Sequence, residues 1–143
     1  ENSVTAVKSL VQAWANNILV VNLPDLGDLP VTRNSQRAKA LSSLTQKHNS
    51  QLATALKNLR QQLQSESNII YYDVNEIFNQ AIDNPTKFGF TNVTDTCLNI
   101  ERSQYVVCKN PDEYLFWDYI HPSTAAHKLL AETVLTKLRT RRI

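Results

Sequence analysis

The chain has 143 residues, 42% of them hydrophobic and 20% charged, the proportions of one ordinary globular domain and not of a disordered segment. A formal net charge of +2 argues against the broad basic face of a nucleic-acid binder, so no nucleic acid is expected as a partner. No apolar run reaches the roughly 18–20 residues that span a bilayer, which leaves at most peripheral membrane contact.

The sequence holds no Met and opens on Glu1-Asn2-Ser3 inside a helical pattern, as expected for a processed or truncated piece of a longer chain. Val4, Val7, Leu10, Val11 and Trp14 recur every three or four residues and predict a helix over residues 3–16. Ile18 to Leu23 is a largely apolar, β-branched run that Pro24 closes; it predicts a strand buried on both faces, as in a parallel sheet. Residues 24–30 then form a loop at the carboxyl end of that strand, where open α/β sheets place their sites.

From Arg33 to Leu63 the pattern is one long amphipathic helix with a break near Thr45. Its expected inward stripe is Ala38, Leu41, Leu44, His48, Leu52, Leu56, Leu59 and Leu63. His48 on that stripe reads as a packed histidine with one hydrogen bond, against the sharper alternative of a ligand or base. A turn at Ser65-Glu66-Ser67-Asn68 leads into a second strand, Ile69 to Val74, so that strand, helix and strand make a right-handed βαβ crossover.

Residues 76–82 predict a short helix that Asn84-Pro85 stops. Residues 85–117 show neither period and read as a long irregular segment, of the length that functional loops have. A final helix is predicted from Ser123 to Arg139, with Ala126, Leu129, Leu130, Val134, Leu135 and Leu138 toward a core. Lys137, Arg139, Arg141 and Arg142 complement its C-terminal dipole. This finds two strands where a sheet normally has about five or six, so the chain is expected to be a half-domain whose strand edges need another half.

Cys97 and Cys108 bracket part of the irregular segment. Two free thiols, common in cytosolic proteins, are one reading. A disulfide is the one adopted, because closing such a loop stabilises it by roughly 3 kcal/mol in the entropy model. With the disulfide comes an oxidising compartment, secreted or periplasmic. Asn92-Val93-Thr94 matches the N-glycosylation acceptor pattern, a frequent chance occurrence.

The most informative stretch is Tyr114-Leu115-Phe116-Trp117-Asp118-Tyr119-Ile120-His121-Pro122. A carboxylate that accepts from Nδ1–H of a histidine selects its tautomer and leaves Nε2 free to act as a base. Three residues allow one tight turn to join the two side chains, and Pro122 stiffens the backbone into a helix start. The bland alternative is a surface ion pair. A metal site from Asp118, His121 and His127 lacks an evident fourth ligand, so no metal is expected.

Asp118-x-x-His121-Pro122 after Phe116-Trp117 resembles the last sequence block of GDSL esterases, the SGNH hydrolase superfamily. Asn17 to Gly27 is similar to that family's penultimate core strand and its loop. His48-Asn49, the leucine-rich helix and Ile69-Ile70-Tyr71-Tyr72-Asp73-Val74 are similar to its crossover helix and last strand. The resemblance covers nearly the whole chain but only the C-terminal part of the family's domain. It implies an α/β chain, the C-terminal portion (residues 1–143) of a three-layer α/β/α, flavodoxin-like sandwich with a parallel sheet.

The resemblance further implies serine-type acyl-ester hydrolysis without a cofactor, of the lipase and lysophospholipase kind, with acyl transfer as an option. Asp118 would orient the base and His121 would be the base. The family's Gly-Asp-Ser block and its oxyanion-hole blocks have no counterpart here, because Gly27-Asp28 is followed by Leu29. Ser123 reads as a helix N-cap. The expected partner is therefore an N-terminal part of the same domain carrying the serine, and the expected substrate is a lipid or other acyl ester. Phe88, Phe90 and Tyr114 are candidates to line an acyl pocket. The loop between the cysteines, with apolar flanks Leu98, Ile100, Val106 and Val107, suits a lid resting on that pocket, or equally a plain anchor. The rival from another class is a non-catalytic interaction or pseudo-enzyme domain without a nucleophile.

Overall fold

The computed structural model describes residues 2–63, 67–101 and 103–140. The expected turn at Ser65-Glu66, Arg102 at the centre of the cysteine loop, and the tail residues Arg141 and Arg142 lie outside them. Along the chain run α1 (Asn2–Gln12), β1 (Asn17–Val21), α2 (Ala38–Gln62), β2 (Asn68–Tyr72) and α3 (Val74–Asp83). Then follow β3 (Asn92–Thr96), β4 (Leu98–Glu101), β5 (Gln104–Val107), β6 (Tyr114–Phe116) and α4 (Thr124–Thr140).

β1 and β2 pair in parallel with Ile18 opposite Ile69 and Val20 opposite Tyr71. The helix between them, α2, is continuous through Thr45. This is the α/β class that the sequence predicts, with parallel pairing across a helical crossover. Side-chain alternation sends Ile69 of β2 into one core and Tyr72 into another, so β2 is buried on both faces. The first core joins Val7 and Val11 of α1 to Leu52, Leu56 and Leu59 of α2 and to Ile18. The second joins Val74, Phe78 and Ala81 of α3 to Phe90, Val93, Leu115, Phe116 and Ala126.

Three expectations need correction. β1 is buried on one face only: Ile18 is inside, whereas Leu19 and Val21 are exposed, because nothing among the described residues packs on that side. On α2, Leu44 and His48 point to solvent, and Thr45 and Asn49 take the inward positions. The reason is what the first half of α2 faces. It packs on the loop after β1, whose backbone groups need hydrogen-bonding side chains, and the apolar stripe begins only at Leu52. On α4, Ala126 is buried and Leu129, Leu130 and Val134 are partly so, but Leu135 is exposed.

The segment 85–117 is ordered by pairing too short to leave a periodic signal. β3 and β6 pair in parallel, Asn92 opposite Tyr114 and Thr96 opposite Phe116. β4 and β5 form an antiparallel hairpin, Leu98 opposite Val107 and Ile100 opposite Tyr105. Short 3₁₀ turns cover Pro85–Phe88 and Pro111–Glu113, and the first ends on Gly89 at φ 83°, a left-handed position that suits glycine. Cys97 and Cys108 are disulfide-bonded across the base of the hairpin, and Cys97 is fully buried.

Candidate active site

β6 runs straight into the stretch singled out above, and backbone pairing folds it back on itself. The Trp117 N–H donates to the His121 carbonyl at 2.9 Å, and Phe116 bridges Pro122 in antiparallel fashion. Inside this turn Asp118 Oδ1 accepts from the backbone N–H groups of Ile120 (2.8 Å) and His121 (2.7 Å). That is the local side-chain-to-backbone bonding that Asp favours in turns. The same carboxylate meets His121 Nδ1, at 2.8 Å from Oδ2 and 3.0 Å from Oδ1.

An ionised carboxylate only accepts, so Nδ1 carries a proton, and in the neutral ring the free lone pair is then on Nε2. Partial desolvation pushes the Asp118 carboxyl up, but the His121 and Ile120 N–H groups and the imidazole together outweigh it, leaving the carboxyl below its ordinary range. The His121 side chain is 70% exposed and that of Asp118 31%, so the imidazole presents an open edge while its orienting partner is half-covered. Ser123 is no nucleophile candidate: it is 1% exposed and its Oγ accepts from the Ala126 N–H at 3.1 Å as the cap of α4.

Two supports hold the turn. From the hairpin side, the Leu98 N–H donates to the Trp117 carbonyl at 2.7 Å, and Cys97 N–H to that of Phe116 at 3.1 Å. From the other side, the Val31 N–H donates to the Tyr119 carbonyl at 3.1 Å. Val31 lies in the loop between β1 and α2, and that loop is itself fastened to α2. Asn49 bonds the Leu23 backbone twice, accepting its N–H at 3.0 Å and donating to its carbonyl at 2.8 Å. Thr45 accepts from the Leu26 N–H at 3.2 Å. Gly27 fits because the approach is close: a Cβ there would stand 2.1 Å from Ser42 Oγ and 2.4 Å from the Ala38 carbonyl.

Asn22, 4% exposed at the end of β1, joins the loop to the second strand. Its amide donates to Tyr71 Oη (2.9 Å) and Asp73 Oδ1 (2.8 Å) and accepts from the Val74 N–H (2.7 Å) at the start of α3. Sequence reasoning assigned no such role to Asn22, Thr45 and Asn49, although Asn22 and Asn49 lie in stretches that carry the family resemblance. A polar residue inside an apolar pattern marks either exposure or a buried hydrogen bond, and only the contacts tell which.

The pocket candidates do not come together. Phe90 is 1% exposed and belongs to the second core with Phe116, whose ring packs tilted against that of Phe78, centroids 6.1 Å apart. Phe88 lines a cleft of about 640 Å³ with Lys87, Lys128 and Leu129. Tyr114 lines a different one, of about 490 Å³. The apolar flanks of the cysteine hairpin rest on neither: Ile100 is 62% exposed, and Val106 and Val107 are also open. His127 Nδ1 turns back to the Ser123 carbonyl at 2.9 Å, away from Asp118. No group of three His, Cys, Asp or Glu side chains able to hold a metal occurs among the described residues.

The Asp–His pair of this α/β chain thus lies between a short strand, β6, and the last helix, α4. The chain belongs to the GDSL-like Lipase/Acylhydrolase family, which it matches over residues 2–134. It is 30% identical over 140 residues to a GDSL esterase/lipase of Arabidopsis thaliana, covering 92% of this chain and 39% of that protein. It is 29% identical to the Arabidopsis GDSL esterase/lipase APG, covering 94% of this chain and 42% of the relative. It is also 26% identical to the thermolabile hemolysin of Vibrio parahaemolyticus, covering 91% and 34%. The chain thus spans about two fifths of the length of these curated relatives.

Proposed function

We propose that this chain is the C-terminal portion of a single SGNH-type domain that hydrolyses acyl esters, with Asp118 and His121 supplying the base of its triad. One observation carries the reading: the Asp118 carboxylate holds His121 by Nδ1 and leaves Nε2 at an open surface. A serine presented there by the N-terminal part of the domain would lose its proton to Nε2 as its oxygen attacks the acyl carbon. The imidazolium, balanced by Asp118, would pass that proton to the departing alcohol. A water activated by the same nitrogen would then release the acid.

The bare face of β1, with Leu19 and Val21 exposed, fits a surface that the rest of the domain covers. The names of the relatives, esterase and lipase, support acyl esters as substrates, and we place lipid and lysophospholipid esters among them. The disulfide supports an oxidising compartment, hence secretion or export to a periplasm.

The test is hydrolysis of 4-nitrophenyl acetate and of lysophosphatidylcholine by the full-length protein and its His121→Ala variant. Removal of the base should abolish most of kcat on both. A loss of less than about tenfold would overturn the assignment.

A further inference from the structure

Asn92-Val93-Thr94 is the one place in the chain where an asparagine is followed two residues later by serine or threonine with no proline between. Asn84-Pro85-Thr86 has the right ends, but its middle proline disqualifies it. The motif opens β3. Val93 turns inward to the second core, so Asn92 and Thr94 lie on the opposite face, Asn92 half-buried and Thr94 exposed.

The geometry of Asn92 suits a modified side chain. Its Oδ1 accepts from the N–H groups of Thr94 at 3.1 Å and Asp95 at 2.8 Å, and its Nδ2 donates to Asp95 Oδ2 at 3.0 Å. These bonds all lie within residues 92–95, so the turn needs no distant part of the fold and can form while the chain is being made. Nδ2 carries two hydrogens. Replacing one by a sugar leaves the other for Asp95 and leaves both bonds to Oδ1 untouched. Thr94 Oγ, the hydroxyl that defines the acceptor motif, has no hydrogen-bond partner among the described residues. A second and independent observation is the Cys97–Cys108 disulfide, which begins immediately after β3. It supports the oxidising compartment in which such acceptors meet their donor.

We infer that Asn92 is an N-glycosylation site, modified in the lumen of a secretory pathway by a lipid-diphosphate-linked oligosaccharide. In the transfer Nδ2 loses one proton to a base of the transferase and bonds to the anomeric carbon of the first sugar. The bond from that carbon to the diphosphate oxygen breaks, and the lipid diphosphate leaves with the electron pair. Nothing is oxidised or reduced. The inference rests on the export reading and is independent of the hydrolase reading.

The test is non-reducing peptide mapping of the full-length protein from its own source, before and after peptide N-glycosidase F in heavy-oxygen water. Cys97 and Cys108 should be linked, and the peptide that spans Asn92 should carry a glycan, replaced after the glycosidase by a heavy-oxygen aspartate. Asn84 should stay bare. A linked disulfide beside an unmodified Asn92 would overturn the glycan alone. Free thiols beside an unmodified Asn92 would overturn the export reading with it. Variants of the full-length protein secreted from a eukaryotic host separate the motif from the fold. Thr94→Ala keeps every bond of Asn92 yet should abolish the glycan on that peptide, whereas Thr94→Ser should retain it. Asn92→Gln should abolish it too. A glycan that persists on this peptide in Thr94→Ala, or is missing from the wild type, would overturn the assignment.

Discussion

The backbone N–H of Val31 donates to the carbonyl of Tyr119 at 3.1 Å, across 88 residues of sequence. It connects the loop after β1 to the turn that holds Asp118 and His121. Because Asn49, Thr45 and Gly27 dock that loop on α2, the position of the imidazole depends on residues that never touch it. In the full-length protein, variants of the pair and variants of this support should therefore fail in different ways.

Asp118→Asn keeps an oxygen for the Ile120 and His121 N–H groups, so the turn should survive. It should still lower kcat by up to about 10⁴-fold, because an amide can stabilise neither the correct tautomer nor the imidazolium. Asp118→Ala removes the turn bonds as well, and should add a loss of thermal stability that Asp118→Asn does not show. Ester kinetics beside circular-dichroism melts distinguish the two.

The depressed carboxyl of Asp118 makes a pH prediction. A carboxyl that titrates lower in the folded than in the unfolded state stabilises the fold fully above its unfolded value, about 3.9. That stabilisation disappears as pH falls through the folded value. The difference in melting temperature between wild type and Asp118→Ala should thus be constant near neutrality and shrink below about pH 4. A gap that grows on acidification would contradict this.

Asp28 has the opposite sign. Burial first, then Asp25, pushes its carboxyl up, against a smaller pull from Arg33. Its charged form therefore costs stability once pH rises past the unfolded value, and the relief lies at low pH. Asp28→Asn should raise the melting temperature at pH 7 and leave it unchanged near pH 3, as differential scanning calorimetry would report.

Neighbours on α2 should behave differently. Asn49→Ala leaves the N–H and carbonyl of Leu23 without partners and should cost about 1–3 kcal/mol in denaturant unfolding. His48→Ala alters an exposed residue and should stay within about 0.5 kcal/mol. Equal effects from both would refute the inward assignment of Asn49.

Gly27→Ala should destabilise by roughly 1–3 kcal/mol and lower kcat, since its Cβ would meet Ser42 and the Ala38 carbonyl. Adding Ser42→Ala should recover only part, because the carbonyl contact stays. Full rescue would show that the backbone is freer to move than this packing implies.

What local interactions dictate was legible in the residue pattern. Periodicity placed four helices and the first two strands, because a 3.6-residue or two-residue repeat is imposed by the element on its own chain. The spacing of Asp118 and His121 was legible for the same reason, a turn of four residues closed by its own carboxylate. The disulfide was legible from two cysteines flanking a short segment. The rest depends on contacts between distant parts of the chain. β3 and β6 exist because Asn92 meets Tyr114, a pairing between short stretches with no signal of their own. The inward face of α2 changes from leucine to Thr45 and Asn49 because it packs against a loop with backbone groups to satisfy. Phe90 fills a core while Phe88 and Tyr114 line separate clefts, although all three lie in one aromatic-rich segment. Apolar character states that a side chain gains by leaving water, and distant parts of the chain settle where it goes.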